Sequence, residues 1–192
     1  NFVIIFVDDL GYGDLGCFGS KLIQTPNIDR MAAEGMKFTD FYAQPICGPS
    51  RAAIMTGCYP MRVAERGNTK NTHPILHSRE ITLAEVLREQ GYATGCFGKW
   101  DLARHSQRSF ARDLMPNRQG FDYFFGYANQ VHAHNYYPDF LWRNEERVPL
   151  PNQLKLSAGS YGGFTGGAAT KRVVYSHDLF AEEALQWIRE QQ

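Results

Sequence analysis

Charge imbalance is what this sequence most plainly lacks. Twenty Lys and Arg offset twenty Asp and Glu across 192 residues, so the formal net charge is zero, and no basic run appears. That excludes the electrostatic footprint of a nucleic-acid binder or of a protein held at an anionic membrane surface. Long apolar runs are missing as well. The longest, Phe2 to Val7, is far shorter than the ~20 residues a helix needs to span a bilayer. Cysteines are few: Cys17, Cys47, Cys58 and Cys96 show no C-x-x-C pair and no zinc-like spacing with histidine. Three disulfide connectivities would be open to them, and the sequence does not choose, so the redox compartment stays open. No internal repeat is present. With 43% hydrophobic and 14% aromatic residues, the chain is globular and able to bury a sizeable core.

What is there alternates strand and helix signals. Phe2 to Val7 is a continuous apolar, β-branched run, the pattern of a strand buried on both faces of a parallel sheet. It stops at Asp8-Asp9 and a glycine-rich turn. Thr25-Pro26-Asn27 opens a helix with Ile28, Met31 and Ala32 on its apolar stripe and Gly35 as its stop. Met36 to Ala43 alternates apolar and polar residues and predicts another strand. Thr82 caps a second helix, with Leu83, Val86 and Leu87 facing inward and Gly91 ending it. Tyr92 to Phe97 predicts a strand that delivers Gly98-Lys99-Trp100-Asp101 at its carboxyl end. From Arg104 to Val174 the pattern loosens, apart from a hairpin formed by Phe140–Arg143 and Arg147–Leu150; Ser157 to Gly167 is glycine-rich. Ser176 to Gln192 predicts a closing helix with Phe180, Ala184, Trp187 and Ile188 on one face. The fold class is therefore α/β, a mainly parallel sheet flanked by helices. In such sheets ligands gather at the carboxyl ends of strands, where Asp8, Asp9 and Lys99 stand.

The chemistry concentrates in Pro45 to Gly57. Pro49 to Met55 reads as a short helix with proline in its first turn and Gly57 at its end. Cys47 then lies at or beside the positive helix end, which favours an anion. Arg51, one turn on, can reach over the same face. A reactive side chain, a helix start and a cation together suit an anionic ester. The plain alternative for Cys47 is a small buried residue. A thiolate phosphatase is excluded by spacing: only three residues separate Cys47 from Arg51, and Ala53 stands where that design needs arginine. Asp8-Asp9 offers adjacent carboxylates where a strand ends. Oxygen-only ligands suit a hard divalent cation, calcium or magnesium; the alternative is a turn in which one carboxylate caps a helix.

Cys47-Gly48-Pro49-Ser50-Arg51 with Thr56-Gly57 resembles the C-x-P-S-R…T-G motif of the formylglycine-dependent sulfatases. Val7-Asp8-Asp9-Leu10-Gly11, Thr25-Pro26-Asn27-Ile28-Asp29, Gly98-Lys99-Trp100 and Gly120-Phe121-Asp122 resemble further motifs of that family in the same order. The resemblance implies an alkaline-phosphatase-like fold, with residues 1–192 forming the N-terminal part of a catalytic domain, cut at both ends. It also implies a Cys47 oxidised to Cα-formylglycine by a formylglycine-generating enzyme. In the family one hydroxyl of the hydrated aldehyde attacks sulfur and the alcohol leaves. The second hydroxyl then loses its proton, sulfate departs and the aldehyde returns. By position, Asp8, Asp9 and modified Cys47 would hold the metal, Ca2+ or alternatively Mg2+. Arg51 would hold the hydrated aldehyde and Lys99 would contact sulfate. The family's leaving-group histidine and remaining metal ligands would lie beyond Gln192. The implied substrate is a sulfated small molecule or glycan, and the implied location is exported: periplasmic, lysosomal or extracellular. A phosphoesterase or phosphonate hydrolase of the same superfamily, and a non-catalytic scaffold, remain alternatives.

Two positions depart from the pattern. Asp101 stands where the family places a histidine against the nucleophile, and Gly48 where it more often has a small hydroxyl residue. Asp101 either accepts a proton or is a loop aspartate bound to backbone. His132 and His134 alternate in Gln130-Val131-His132-Ala133-His134, so both are expected to project to one side, where with Gln130 they could touch substrate. His105 could compensate for the absent histidine. His73, His77 and His177 read as surface or capping residues. Tyr136, Tyr137 and Trp142 could stack on a sugar or belong to the core.

Overall fold

In the computed structural model, residues 1–63, 75–103, 112–155 and 168–192 are described. They fall into two units, Asn1–Ala43 and Gln44–Gln192, each taken by itself. The readings placed on His73, His105 and Ser157 to Gly167 lie outside the described residues.

The first unit is built on helix α1, Pro26–Glu34, with Thr25 at its N-cap and Gly35 at its end. Thr25 does not cap by the usual bond. Its hydroxyl accepts from Gly16 N (2.9 Å) and donates to Asp29 Oδ1 (2.9 Å), while Asp29 Oδ1 also accepts from Cys17 N at 2.7 Å. The Thr-Pro-Asn-Ile-Asp motif thus ties the Gly16–Phe18 turn to the helix. Two expected strands are not formed. Phe2 to Val7 has no regular secondary structure, and its side chains are 38–77% exposed. An apolar run becomes a strand only where a neighbouring backbone completes the ladder, and none of the described strands pairs with it. Met36 to Ala43 likewise stays irregular. There the Tyr12 hydroxyl takes the place of a ladder partner, donating to Phe41 O (2.9 Å) and accepting from Phe41 N (2.8 Å).

The second unit carries α2 (Cys47–Thr56), α3 (Pro60–Val63), α4 (Leu83–Glu89), β1 (Gly95–Lys99), β2 (Tyr123–Tyr127), α5 (Gln130–Ala133), β3 (Phe140–Arg143), β4 (Glu146–Pro149), β5 (Gln153–Lys155), β6 (Ala168–Lys171) and α6 (Ser176–Glu190). Thr82 begins α4 as expected: its hydroxyl accepts from Glu85 N, Glu85 Oε2 accepts from Thr82 N, and the hydroxyl donates to Gln119 O at 2.7 Å. Such a cap contributes about 1 kcal/mol. The inward face of α4 differs from expectation. Leu83 and Val86 are exposed, and the small Ala84 is the residue that is buried. Close approach explains it: a Cβ on Gly120 would lie 2.4 Å from Glu85 N, so the chain packs against the helix backbone itself.

The sheet runs β1-β2-β3-β4, parallel between β1 and β2 and antiparallel through β3 and β4. The β3–β4 hairpin is the one read from the sequence, turning at Asn144 with φ 53°. At the Gly98–Gly126 pair the strands press together so closely that a Cβ on Gly126 would sit 1.9 Å from Gly98 O. Alternation along β2 sends Phe124 to one face and Phe125 and Tyr127 to the other. Phe124 joins Ala52, Ile75, Leu76, Trp100, Leu102, Met115 and Trp142 on the α2 side. Phe125 and Tyr127 pack with Leu141, Leu179 and Phe180 against α6. Helices thus cover both faces of the sheet, an α/β layering. The Gly-Phe-Asp motif at Gly120 serves the sheet: Asp122 Oδ2 accepts from Thr94 N at 2.9 Å, and Thr94 Oγ1 donates to Gly120 O at 2.7 Å.

Candidate active site

Helix α2 begins at Cys47 rather than Pro49, with Ile46 extended at its N-cap. Pro49 is the third helical residue, still inside the first turn, where its missing N–H leaves no intrahelical bond unmade. The entry is held by Ser50. Its hydroxyl accepts from Gln44 N (3.1 Å) and lies 3.0 Å from Ile46 O as donor. The exit is Gly57, in the left-handed region at φ 67°, whose N–H reaches Ala53 O at 2.8 Å. Cys47 therefore occupies the first position of a ten-residue helix, where unpaired N–H groups and the dipole favour negative charge.

Three other segments meet this helix start. Arg51, on the next turn, donates from Nη1 to the carbonyl of Lys99 at 2.5 Å, fixing the helix against the carboxyl end of β1. Cys47 Sγ donates to Gln130 Oε1 at 3.1 Å, so the first residue of α5 stands over the thiol. Gln130 N in turn donates to Asp101 Oδ1 at 2.9 Å. Asp101 is fully buried, at 0% exposure, and turns the chain with φ 62° two residues beyond β1. Trp100 anchors that turn: its backbone N–H continues the ladder to Tyr127 O (2.9 Å), and its indole donates to Leu114 O (2.8 Å). Asp101 thus makes the backbone bond of the loop-aspartate reading. The Cys47, Arg51, Lys99, Asp101 and Gln130 positions are brought together within the second unit. Beneath them lies Cys96, whose thiol burial pushes up to about 12 despite the opposing pull of the Arg51 guanidinium.

The histidine pair does not assemble as expected. His132 is 5% exposed and packs between the Phe140 ring, 4.3 Å between centroids, and the Tyr127 ring, 5.0 Å. His134 is exposed. Alternate residues share a side in a strand, but Gln130–Ala133 is helical with His134 at its C-cap, so the two point apart. His132 is therefore packed in the core of this unit. Burial lowers its pKa to about 4, and its Nε2 has no hydrogen-bond partner among the described residues. His77 and His177 are exposed, the latter stacked on Tyr175 at 5.2 Å. Tyr136 is 52% exposed, whereas Trp142 belongs to the core. Asn129 escaped the sequence reading: it is 4% exposed and its side chain accepts from Val131 N at 2.7 Å, an N-cap on α5. Its amide type just ahead of a short helix was the available signal.

Asp8 and Asp9 belong to the first unit, exposed on a turn where Asp9 takes φ 58°. Two neighbouring carboxylates offer hard oxygen donors of the kind calcium or magnesium prefers. Among the described residues no group of three or more His, Cys, Asp or Glu gathers to hold a metal. A cavity of about 490 Å³ between α6 and the start of β2, lined by residues such as Asp122, Glu183 and Trp187, holds none of these candidates. It lies at the amino end of β2, away from the strand ends where ligands usually bind.

A family model described as Sulfatase matches residues 1–192. The chain is 36% identical to human arylsulfatase A over 97% of its own length and 38% of that protein's. Mouse arylsulfatase G is 38% identical over 99% of this chain and 38% of that protein. Human steryl-sulfatase is 43% identical over 66% of this chain and 23% of that protein. The chain thus spans well under half the length of these relatives. A solved structure from a glycosaminoglycan-metabolism locus of Bacteroides thetaiotaomicron superposes with a TM-score of 0.71 at 27% identity, covering 95% of this chain and 46% of that one. Another, solved with its substrate D-glucosamine-2-N,6-O-disulfate, gives 0.65 at 28% identity, over 96% of this chain and 30% of that one.

Proposed function

Because the chain belongs to the sulfatase family, we propose that it contributes to hydrolysis of sulfate esters, with Cys47, in its formylglycine form, as the nucleophile-bearing residue. The observation that carries this reading is the meeting at the start of α2. Cys47 is bonded to Gln130, and Arg51 is bonded to the Lys99 carbonyl. Formylglycine supplies a nucleophile that releases sulfate without a second attack by water.

The chain's own residues supply the setting. The helix start holds negative charge close to Cys47. Arg51, drawn against β1 by the Lys99 carbonyl, presents a fixed cation beside the first turn, and Lys99 binds a sulfate oxygen. By the family resemblance, Asp8 and Asp9, together with modified Cys47, would hold the divalent ion, Ca2+ or alternatively Mg2+. Bound there, that ion would supply Lewis-acid chemistry toward the sulfate. Gln130 and the exposed His134 face the substrate side, and His132 does not. The substrate class is a sulfated sugar or other sulfated small molecule, which the complex of a structural neighbour with a disulfated glucosamine supports. Maturation requires a formylglycine-generating enzyme, and the protein works after export. No helix among the described residues is long and apolar enough to cross a membrane.

Peptide mass spectrometry of the full-length protein, co-expressed with a formylglycine-generating enzyme, tests the first step; the expected result is conversion of the Cys47 thiol to an aldehyde. Paired assays on an aryl sulfate and the matching aryl phosphate test the second. Turnover of the sulfate at least tenfold faster is expected. Faster turnover of the phosphate would assign the protein to the phosphoesterases. An unmodified Cys47 with no turnover of either would leave a scaffold.

A further inference from the structure

We propose that Asp101 is a positioning residue: its buried carboxylate holds the first backbone N–H of α5 and thereby sets the Gln130 amide against Cys47. The inference rests on the reading of Cys47 as the nucleophile-bearing residue. The Cys47 Sγ stands here for a hydroxyl on the same carbon after modification.

The geometry separates two tasks that one side chain could have combined. Asp101 carries the charge but is fully buried, and its Oδ1 is engaged 2.9 Å from Gln130 N. Gln130 carries no charge and touches Cys47 at 3.1 Å. A carboxylate turned toward the nucleophile would face the sulfate it must attract, and like charges in a low-dielectric site repel strongly. Directed at a backbone N–H, the same carboxylate makes a charge-assisted bond and satisfies a helix donor that would otherwise be unpaired. The neutral amide beside Cys47 can both accept from and donate to hydroxyl groups without repelling sulfate.

The anchor is fixed on both sides. Asp101 follows Trp100, held by the β-ladder and by its indole bond to Leu114 O. On α5, the next N–H, that of Val131, is taken by the buried side chain of Asn129. The start of α5 is therefore held at two successive N–H groups, Gln130 by Asp101 and Val131 by Asn129. A shift of the α5 start would carry the amide off Cys47, and misplacement of about 1 Å at such a group is enough to slow a reaction severely.

The left-handed backbone at Asp101, φ 62°, makes the test clean, because Asn and Gly both accept that conformation. Asp101→Asn keeps an acceptor oxygen without the charge; Asp101→Gly removes the acceptor. In the matured full-length protein, Asp101→Gly is expected to lower kcat on an aryl sulfate by on the order of tenfold or more, with KM changed less. Asp101→Asn is expected to recover most of that loss. Gln130→Ala is expected to fall by a similar factor, and the double variant Asp101→Gly/Gln130→Ala to be no slower than Gln130→Ala alone. Hydrogen exchange at the Gln130 amide reports the anchor without any turnover: protection is lost in Asp101→Gly and retained in Asp101→Asn. Losses that multiply in the double variant would overturn the proposal. So would Asp101→Asn as slow as Asp101→Gly, or a Gln130 amide still protected in Asp101→Gly. A parent protein that turns over no sulfate ester defeats the proposed function instead, and the exchange comparison then decides the anchor alone.

Discussion

His132 makes stability depend on pH, and the size of the effect can be worked from its surroundings. The ring is 5% exposed, sandwiched by Phe140 and Tyr127. Burial, the largest influence, disfavours the imidazolium and lowers the pKa from 6.5 to about 4. Asp139 and the Phe140 backbone pull the other way, and the Arg147 guanidinium reinforces the lowering. Between these values the unfolded chain takes up a proton that the folded chain refuses. Stability from this group is therefore fully present above pH 6.5 and is lost as pH falls toward 4. At 1.36 kcal/mol per unit, a depression from 6.5 to about 4 corresponds to a loss of about 3 kcal/mol.

His132→Phe removes the titration while keeping a flat ring between the same neighbours. Urea unfolding of the two full-length proteins from neutral pH down to about pH 4 measures the outcome. The variant is expected to gain on the parent steadily across that range, by about 3 kcal/mol at its lower end. In the parent, the His132 ring signal in NMR is expected to titrate near 4 rather than near the ordinary 6.5. Stability curves that fall in parallel, or a ring titrating near its ordinary value, would refute the reasoning.

Gly126→Ala would place a methyl 1.9 Å from Gly98 O, against backbone that cannot yield without parting β1 from β2. A loss of at least about 3 kcal/mol is expected, read as a lowered denaturation midpoint or failure to fold; a shift under about 1 kcal/mol would contradict the close approach. For the cysteines, the exposed Cys58 is expected to alkylate readily in the folded protein. Cys96, with its thiol pushed up to about 12, is expected to stay unlabelled until the chain unfolds, as peptide mapping after iodoacetamide would report.

Legibility in the sequence followed the range of the interaction that decides each feature. Caps and stops were readable because their partners lie within a turn: Thr82 with Glu85, Gly57 with Ala53, the hairpin at Asn144. Phe2 to Val7 and Met36 to Ala43 had the residue pattern of strands, yet a ladder needs a second backbone, and no pattern within one segment supplies it. The reverse held for Tyr123–Tyr127, a strand hidden inside a region read as loops. Its register opposite Gly95–Lys99 depends on a glycine pair 28 residues apart, Gly98 with Gly126. The histidines show a subtler failure. Alternation in Val131-His132-Ala133-His134 suggests one shared side, but in a helix the same spacing sends one ring inward and the other to solvent.

The candidate site divides along the same line. Cys47 and Arg51 share one helix, so their relation is local and the motif spacing was enough to see it. The bond that Asp101 makes is not legible in its own neighbourhood, because the partner is the N–H of Gln130, 29 residues on. A histidine and an aspartate at that position look like rival proton acceptors when compared as residue types. Within the fold the Asp101 carboxylate bonds a backbone N–H, and the Gln130 amide touches Cys47. Substituting histidine for Asp101 therefore has two consequences. It adds a ring beside Cys47 and removes the acceptor that holds α5 in place, so restoring the family's residue alone is expected to slow the protein rather than improve it.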